Sequence, residues 1–330
     1  MGMKAPFNWQ QWVEAFWALP PVRAGVHWLQ THSLPGFAGV PIYDILVFIR
    51  NELKRQALIM RANAMAFSFF LSLFPSIITL FALVPYVRTY VLSFIPGGEN
   101  YMEVLTREIH LVMPGSAGEM LVETIQDLTT RPRAGLFSLG FFLTLYFASN
   151  GMRTLLRSFE KSYDVTYIRR PVWQKELIAL GLTFLMGLLL IASIVLAILG
   201  HTLVVWLAQY VKLDSFSTMA LQLLRYITVV LFFYGGIALI YRYGPSVRQR
   251  FSFFSPGATL ATLLSLLSSL AFSFYVDQFN TYNKLYGSIG TIIVVMLWIQ
   301  INSFVLLIGY ELNASIAVNR DLKALREEEE

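Results

Sequence analysis

The sequence contains no cysteine and little charge, and both absences limit what the chain can be. Without cysteine, neither a disulfide framework nor a thiolate metal site can form. Charged residues make up 14% of the 330 residues, whereas soluble domains are about 25% charged. Hydrophobic residues make up 56%. This composition is typical of a chain that lies largely in the lipid bilayer.

Motifs that bind nucleotides or nucleic acids are also missing. No GxxxxGK followed by Ser or Thr occurs, so we expect no ATP-driven pumping by this chain alone. The net charge is +5, but the basic residues form short clusters between apolar runs rather than one basic face. We therefore predict no nucleic-acid partner, no cofactor and no bound metal.

Six apolar runs are long enough to cross a bilayer, which requires about 20 mainly apolar residues in a helix. They cover residues 64–87, 135–153, 177–206, 221–241, 253–276 and 287–311. The third run is long enough to tilt or to extend beyond the hydrocarbon. The prediction is an all-α, polytopic membrane helix bundle with six transmembrane helices.

The distribution of lysine and arginine predicts how the chain is oriented. Six of these residues precede the first run, six lie between the second and third, three between the fourth and fifth, and three follow the sixth. Of the three other connections, those after the third and fifth runs contain fewer lysines and arginines. The one after the first run has four arginines against six carboxylates. By the positive-inside rule, both termini are cytoplasmic.

The segments outside the spans are predicted to lie at the membrane surface. Residues 1–40 are rich in tryptophan and suit an interfacial amphipathic helix, although packing on the protein's own loops fits the pattern equally. Residues 41–61 form a second amphipathic helix. Residues 96–133 are predicted to form a small outer helical cap, and the acidic residues 321–330 a solvated tail. The six-span membrane domain then covers residues 41–320.

Two of the apolar runs carry hydroxyl side chains along one helical face. They are Ser68, Ser72 and Ser76 in the first run and Ser265 and Ser269 in the fifth. Small residues allow close helix packing, which alone would explain either stripe. Pro75 adds a kink beside the first stripe. The two stripes together favour a polar crevice shared by spans one, five and six.

The sixth run carries polar side chains on two opposite faces. Gln300 and Glu311 are eleven residues apart and therefore nearly in line. Asn302 and Asn313 are in line with each other on the opposite side. Because polar groups at bilayer depth turn towards protein, we predict that the sixth helix is central and covered by protein on both sides.

Polar residues from three spans are predicted to meet at the cytoplasmic end of the bundle. The cluster comprises Arg61, Asn63, Asn150, Arg153, Arg157, Glu311 and Asn313. Within it, an ionised Glu311 is expected to pair with Arg153. Arginines at this place would suit a phosphate or carboxylate headgroup. A structural ion pair with ordinary snorkelling arginines fits equally well.

The connection between the fifth and sixth runs reads YNKLYG. Tyr282 and Lys284 suit ordinary anchoring at the level of the lipid headgroups. The alternative is a gate, in which Gly287 loosens the start of the sixth helix.

Three stretches together carry a recognisable combination of motifs. They are RANAMAFSFFLSLFPSI, SNGMRTLLRSFEKSY and the run from FSPGATLATLL to LLIGYELNA. The combination resembles the YihY / virulence factor BrkB family, and the resemblance covers roughly residues 40–318. It implies a six-span protein of the bacterial inner membrane. The family also has a virulence phenotype and an older name, ribonuclease BN.

The older family name implies a nuclease, which this sequence does not support. The four histidines, His27, His32, His110 and His201, are scattered along the chain. Phosphodiester hydrolysis with zinc requires clustered histidine and carboxylate ligands. We therefore expect no catalytic residues and no enzymatic activity.

The leading hypothesis is transport of a lipid or other anionic amphiphile or solute through the crevice of spans one, five and six. Membrane lipids are the expected partners, and the oligomeric state is not predicted. The alternative is a membrane scaffold for envelope assembly, in which interhelix hydrogen bonds use up every polar face. A cavity at bilayer depth would favour transport, and a fully packed bundle would favour the scaffold.

Overall fold

The computed structural model describes residues 20–55, 58–90, 106, 122, 134–210, 215–278 and 288–329. These residues form eight helices: α1 (Pro20–Thr31), α2 (Ile42–Arg55), α3 (Leu58–Tyr90), α4 (Ala134–Ser158), α5 (Val172–Tyr210), α6 (Ser215–Tyr243), α7 (Pro256–Gln278) and α8 (Ser288–Glu329). The β-type pairing in the described ranges is one isolated antiparallel bridge between Tyr167 and Val247. The predicted all-α class is confirmed.

Six helices, α3 to α8, coincide with the six predicted apolar runs. The shortest of them, α7, has 23 residues and is therefore about 35 Å long, which exceeds the ~30 Å hydrocarbon core. Four segments of the described helices are both long and apolar enough to cross a membrane: Leu58–Ser76, Val172–Ser193, Pro256–Phe274 and Ile292–Glu328. The chain is a helical membrane bundle, and the count of six spans stays a prediction.

Helix α8 lies at the centre of the described bundle. It packs against α7, α3 and α2, and Leu307, Tyr310 and Glu311 in its middle are fully buried. The ring of Tyr310 stacks on that of Phe159 with centroids 3.9 Å apart. The Tyr310 hydroxyl donates to the Phe159 backbone carbonyl at 2.6 Å. The second half of the predicted sixth span is therefore covered by protein, as predicted, whereas Ile292, Trp298 and Ile301 nearer its start are 46%, 43% and 39% exposed.

Small residues let α7 and α8 approach each other closely. A methyl group on Gly309 would lie 2.6 Å from the carbonyl oxygen of Gly257, so neither position has room for a side chain. Ala258 and Ala261 are completely buried at this contact, and Thr262 donates to the Ala258 carbonyl at 2.8 Å. Close packing through small side chains therefore accounts for the first two turns of α7.

Helix α2 is amphipathic, as predicted, and packs against the C-terminal half of α8. Ile45 is buried together with Phe37, Val40 and Ile316. The hydroxyl of Ser315 in α8 donates to the Ile45 carbonyl at 3.3 Å. Burial of this apolar face fixes the chain segment that leads into α3.

The connections that are rich in basic residues meet at one end of the bundle. The loop 159–171 contacts α8 through Thr166, whose hydroxyl donates to Asp321 at 2.7 Å. The same loop contacts α2 through Lys161, whose Nζ lies 5.6 Å from the ring centroid of Phe48. These segments therefore share one side of the bundle, as the predicted topology requires. The assignment of that side to the cytoplasm stays a prediction.

Several predicted features lie outside the described residues. They are the first 19 residues of the tryptophan-rich segment, the cap at 96–133 except for residues 106 and 122, and the gate candidates Tyr282, Lys284 and Gly287. The C-terminal end is described and differs from the prediction. Helix α8 continues to Glu329, so the predicted tail forms the last turns of a helix, with exposed side chains from Lys323 to Glu328.

Candidate functional site

Three charged side chains, Glu311, Arg61 and Lys161, form a buried ion cluster. Arg61 Nη2 donates to Glu311 Oε1 at 2.9 Å, and Lys161 Nζ donates to Oε2 at 2.7 Å. The side chains of Glu311 and Lys161 are 0% exposed, and that of Arg61 is 19% exposed. Both carboxylate oxygens are therefore engaged, which is what a charge in the protein interior requires.

The predicted pair between Glu311 and Arg153 is wrong. Arg153 Nη1 contacts Glu176 Oε2 of α5 at 3.0 Å, and its Nη2 donates to Asn150 Oδ1 at 3.3 Å. Arg157, one turn further along α4, is exposed. The face of α4 that carries Arg153 meets α5 rather than α8, and a lysine from the loop after α4 contacts the glutamate instead.

One polar face of α8 meets α3, as its sequence pattern predicted. Gln300 Nε2 donates to Asn63 Oδ1 of α3 at 2.7 Å. Three turns further along, Glu311 contacts Arg61 of the same helix. Two polar contacts on one line of α8 therefore fix its register against α3.

The opposite polar face of α8 meets α7. Asn313 Oδ1 accepts a hydrogen bond from the Gly257 N–H at 2.8 Å, and its Nδ2 donates to Ser255 Oγ at 2.9 Å. Gly257 lies in the first turn of α7, where backbone N–H groups lack partners within the helix. Asn313 supplies one such partner. It therefore holds the start of α7 and is separate from the buried ion cluster with which it was predicted to associate.

The hydroxyl stripe of α3 bonds within its own helix. Ser68, Ser72 and Ser76 each donate to a carbonyl of the preceding turn, at 3.0, 2.6 and 2.6 Å respectively. Ser68 Oγ also lies 3.4 Å from Thr154 Oγ1 of α4. Ser68, Ser72 and Pro75 are buried. For this stripe the geometry fits the close-packing interpretation, with α4 as the neighbour.

A groove lies between α5, α6, α7 and α8, and its volume is about 400 Å³. Apolar side chains such as Leu189, Phe232, Leu266 and Leu306 form most of its wall. The groove shares spans five and six with the predicted crevice. Its other two walls come from α5 and α6 rather than from α3.

The groove contains a small polar patch formed by Ser265, Ser269, Asn302 and the indole of Trp298. Trp298 Nε1 donates to Ser269 Oγ at 3.3 Å, and Asn302 Nδ2 donates to the Trp298 carbonyl at 2.9 Å. Ser265 Oγ is buried and has no hydrogen-bond partner within the described part of the chain. This hydroxyl is covered by protein beneath the groove wall, and a buried polar group without a partner costs about 1–3 kcal/mol.

The described residues hold no group of three or more His, Cys, Asp or Glu side chains placed to bind a metal ion. The two features that the described residues form are the groove and the buried ion cluster. The groove presents mainly apolar side chains, whereas the buried ion cluster holds α3, α8 and the loop after α4 together.

Long apolar helices, a central helix with buried polar contacts and a groove in the helical bundle define a polytopic α-helical membrane protein. The family model described as Virulence factor BrkB matches residues 49–330. The chain belongs to this family.

Curated relatives carry two kinds of name. A ribonuclease-like protein, YfkH of Bacillus subtilis, is 30% identical over 263 residues, which are 79% of this chain and 91% of the relative. A UPF0761 membrane protein of Chromohalobacter salexigens is 30% identical over 73% of this chain and 58% of the relative. Another, of Chlorobium luteolum, is 27% identical over 88% and 64%. The chain thus spans less than two thirds of both UPF0761 relatives. No solved structure matches.

Proposed function

We propose that this chain is a bacterial inner-membrane protein that binds a lipid or other anionic amphiphile in the groove and moves it through the bilayer. The observation that supports the proposal is the groove itself, which has apolar walls, a volume of about 400 Å³ and, beneath its wall, the hydroxyl of Ser265, for which the described residues supply no hydrogen-bond partner. The groove opens at the surface of the bundle, where Leu190 and Phe233 of its wall are 56% and 42% exposed, so an amphiphile could enter it from the membrane.

The position of the groove along the helices suits an acyl chain. Ser265 lies nine residues after the first residue of α7, which is about 14 Å along the helix axis. This depth is near the middle of a ~30 Å hydrocarbon core. A polar patch is costly at that depth unless protein or a ligand covers it, and the proposal is that part of an amphiphile lies beside these groups.

The proposed orientation places both termini in the cytoplasm. Lysine and arginine are concentrated in the N-terminal segment, the loop 159–171, the loop after α6 and the end of α8. The described parts of these segments meet at one end of the bundle, as the bonds between Thr166 and Asp321 and between Ser315 and Ile45 indicate. Under the positive-inside rule this end faces the cytoplasm.

We infer no nuclease activity for this chain. The printed name of the Bacillus relative contains the words ribonuclease-like. Metal-assisted phosphodiester hydrolysis requires clustered carboxylate and histidine ligands, and the four histidines of the sequence are scattered along the chain.

A flux measurement on reconstituted vesicles tests the proposal. The protein is placed in vesicles that contain a headgroup-labelled anionic lipid, and an impermeant quencher reports how fast the label crosses the bilayer. Ser269→Phe places a ring in the groove, and Leu270→Phe places the same ring on the neighbouring, 70% exposed side of α7. We expect about tenfold slower flux for Ser269→Phe, equivalent to about 1.4 kcal/mol, and parental flux for Leu270→Phe.

Folded protein yield is measured for both variants, so that rates are compared per folded molecule. Equal flux for Ser269→Phe and Leu270→Phe would exclude the groove as the path. Parental flux no faster than that of protein-free vesicles would contradict transport and favour the scaffold, for which the fully bonded Glu311 and Asn313 are the supporting observations.

A further inference from the structure

A second cavity lies outside the helical bundle, between the loop that precedes α5 and the loop that follows α6. We call it the loop cavity, and its volume is about 420 Å³. Its lining residues include Lys161, Ser162, Asp164, Arg169, Arg170 and Ser246. Most of these side chains are polar or charged, which distinguishes the loop cavity from the groove.

Backbone pairing between the two loops holds the cavity open. The Ile168 N–H donates to the Ser246 carbonyl at 2.8 Å, and the Arg248 N–H donates to the Thr166 carbonyl at 2.9 Å. The hydroxyl of Tyr167 lies 2.8 Å from that of the fully buried Tyr310 in α8. The walls are thus fixed to the core of the bundle, and the cavity is preformed, as ligand sites usually are.

Positive charge exceeds negative charge around the cavity. Four of the lining residues are basic and two are acidic. Lys175 pairs with Glu160 and Lys161 with the buried Glu311, so these two lysines are matched by carboxylates. The positive charges of Arg169 and Arg170 are then opposed by one remaining lining carboxylate, that of Asp164.

The two arginines of the cavity are placed to receive an anion. Arg170 Nη1 donates to the carbonyls of Gly244 and Tyr243 at 3.2 and 3.4 Å, which hold the guanidinium in place without neutralising it. Arg169 is exposed and makes no ion pair within the described ranges. Asp164 is exposed, and its backbone carbonyl accepts hydrogen bonds from the guanidinium of Arg248 at 3.2 and 3.3 Å.

The pKa of Arg170 is consistent with a surplus of positive charge. Partial burial lowers the pKa of its guanidinium below the usual value, and the positive charge of Arg250 lowers it further. Arg170 stays charged at neutral pH, because a guanidinium gives up its proton only far above neutral pH. A bound anion would stabilise the positive charges of Arg170 and Arg250.

We propose that the loop cavity binds a phosphate-bearing anion through Arg169 and Arg170. Guanidinium groups form paired, charge-assisted hydrogen bonds with phosphate oxygens, and Ser162 and Ser246 supply further hydroxyl donors at the wall. The cavity lies where α5 begins at Val172, beside the 61% exposed Trp173. Tryptophan is enriched at the level of lipid headgroups, so both a lipid phosphate and a free phosphate ester can reach the site.

This inference goes beyond the proposed function, because the loop cavity and the groove share no lining residue. The loop cavity can bind a phosphate group whether or not lipid moves through the groove.

Calorimetric titration of the full chain in neutral detergent and phosphate-free buffer tests the site. The probes are inorganic phosphate, glycerol 3-phosphate and dihexanoyl phosphatidate, with dihexanoylglycerol as the uncharged control. Arg169→Gln removes an exposed guanidinium, and Ser162→Glu adds a negative charge at an exposed position without removing an ion pair. Arg326→Gln makes the same charge change as Arg169→Gln on the exposed end of α8 and is the matched control.

We expect Arg169→Gln to weaken phosphatidate binding by about tenfold, as for the loss of one charge-assisted hydrogen bond. Ser162→Glu should also weaken it, because the added carboxylate repels the phosphate, and Arg326→Gln should bind as the parent does. If inorganic phosphate or glycerol 3-phosphate binds as tightly as phosphatidate, the phosphate group alone is the ligand. If only phosphatidate binds, the ligand is a lipid. Both outcomes support the site. Absence of binding by all three phosphate probes, or equal affinity in all three variants, would overturn it.

Discussion

Replacing Glu311 by glutamine tests the buried ion cluster, because it changes the charge and keeps the shape. The carboxylate accepts from Arg61 at 2.9 Å and from Lys161 at 2.7 Å, and the lysine side chain is 0% exposed. Removal of one partner from a buried ion pair typically costs about 3–5 kcal/mol. We expect Glu311→Gln to lower the free energy of unfolding by that amount, since a buried cation loses its counter-charge.

Arg153→Gln is the control, because it breaks the pair with Glu176, whose side chain is 40% exposed. Pairs this exposed contribute about 0–1 kcal/mol, so we expect a loss of about 1 kcal/mol or less. The measurement is reversible unfolding of the purified protein in mixed micelles, followed by circular dichroism. If Glu311→Gln unfolds at the same denaturant concentration as the parent, the burial or the pairing of this carboxylate is wrong.

Double-mutant cycles test whether Glu311 is coupled to Lys161 or to Arg153. We expect a coupling free energy of about 2 kcal/mol or more between Glu311→Gln and Lys161→Met, and additivity within about 0.5 kcal/mol between Glu311→Gln and Arg153→Gln. If Glu311 paired with Arg153, as predicted from the sequence, the coupling would instead appear between Glu311→Gln and Arg153→Gln. In the flux assay, Glu311→Gln should reduce the amount of folded protein rather than the rate per folded molecule.

Two further predictions concern the contact between α7 and α8. Gly257→Ala places a methyl group against the Gly309 carbonyl oxygen and 2.6 Å from the Asn313 side chain, so we expect a marked fall in thermal stability. Gly187→Ala, which meets nothing within 4 Å, is the control and should be neutral or gain up to about 1 kcal/mol of stability. Similar melting temperatures for the two variants would contradict the close approach of α7 and α8. Asn313→Ala removes the bonds to the Gly257 N–H and to Ser255 and should cost about 1–3 kcal/mol. Hydrogen exchange at the start of α7 should then be faster than in the parent, and unchanged exchange there would count against the capping role.

Helix positions were predictable because crossing a bilayer requires a long apolar run, which the sequence displays directly. The ends of the helices were not. The sixth run was predicted to end at residue 311, yet α8 continues to Glu329. Beyond Glu311 the buried residues Ala314, Ala317 and Val318 recur at helical spacing, so the extension buries a face against protein rather than lipid.

The two faces of α8 were also predictable, because a fixed helical period places Gln300 with Glu311 and Asn302 with Asn313. The partners on other helices were not predictable, since they depend on how each neighbour is rotated. Lys161 lies in a loop, where no periodic pattern marks a residue that reaches the core. Lys161 was therefore counted only as a basic residue of the cytoplasmic side.

The neighbours of the two serine stripes were not predictable from the sequence either. Both present hydroxyls at helical spacing, and either could line a crevice or a packed contact. The neighbouring helices determine which of the two a stripe lines. The ring of Phe69 in α3 lies against Gly151 of α4, so α3 and α4 pack closely. Ser265 and Ser269 lie where four helices leave a groove. That difference is in the assembled bundle and not in either stripe.

The central claim is that the groove holds an amphiphile, and cryo-electron microscopy of the full chain in nanodiscs of anionic and neutral lipid tests it most directly. The account predicts elongated density between α5, α6, α7 and α8 that reaches the hydroxyl of Ser265. A map that resolves the surrounding lipid but shows the groove closed or empty would contradict the account.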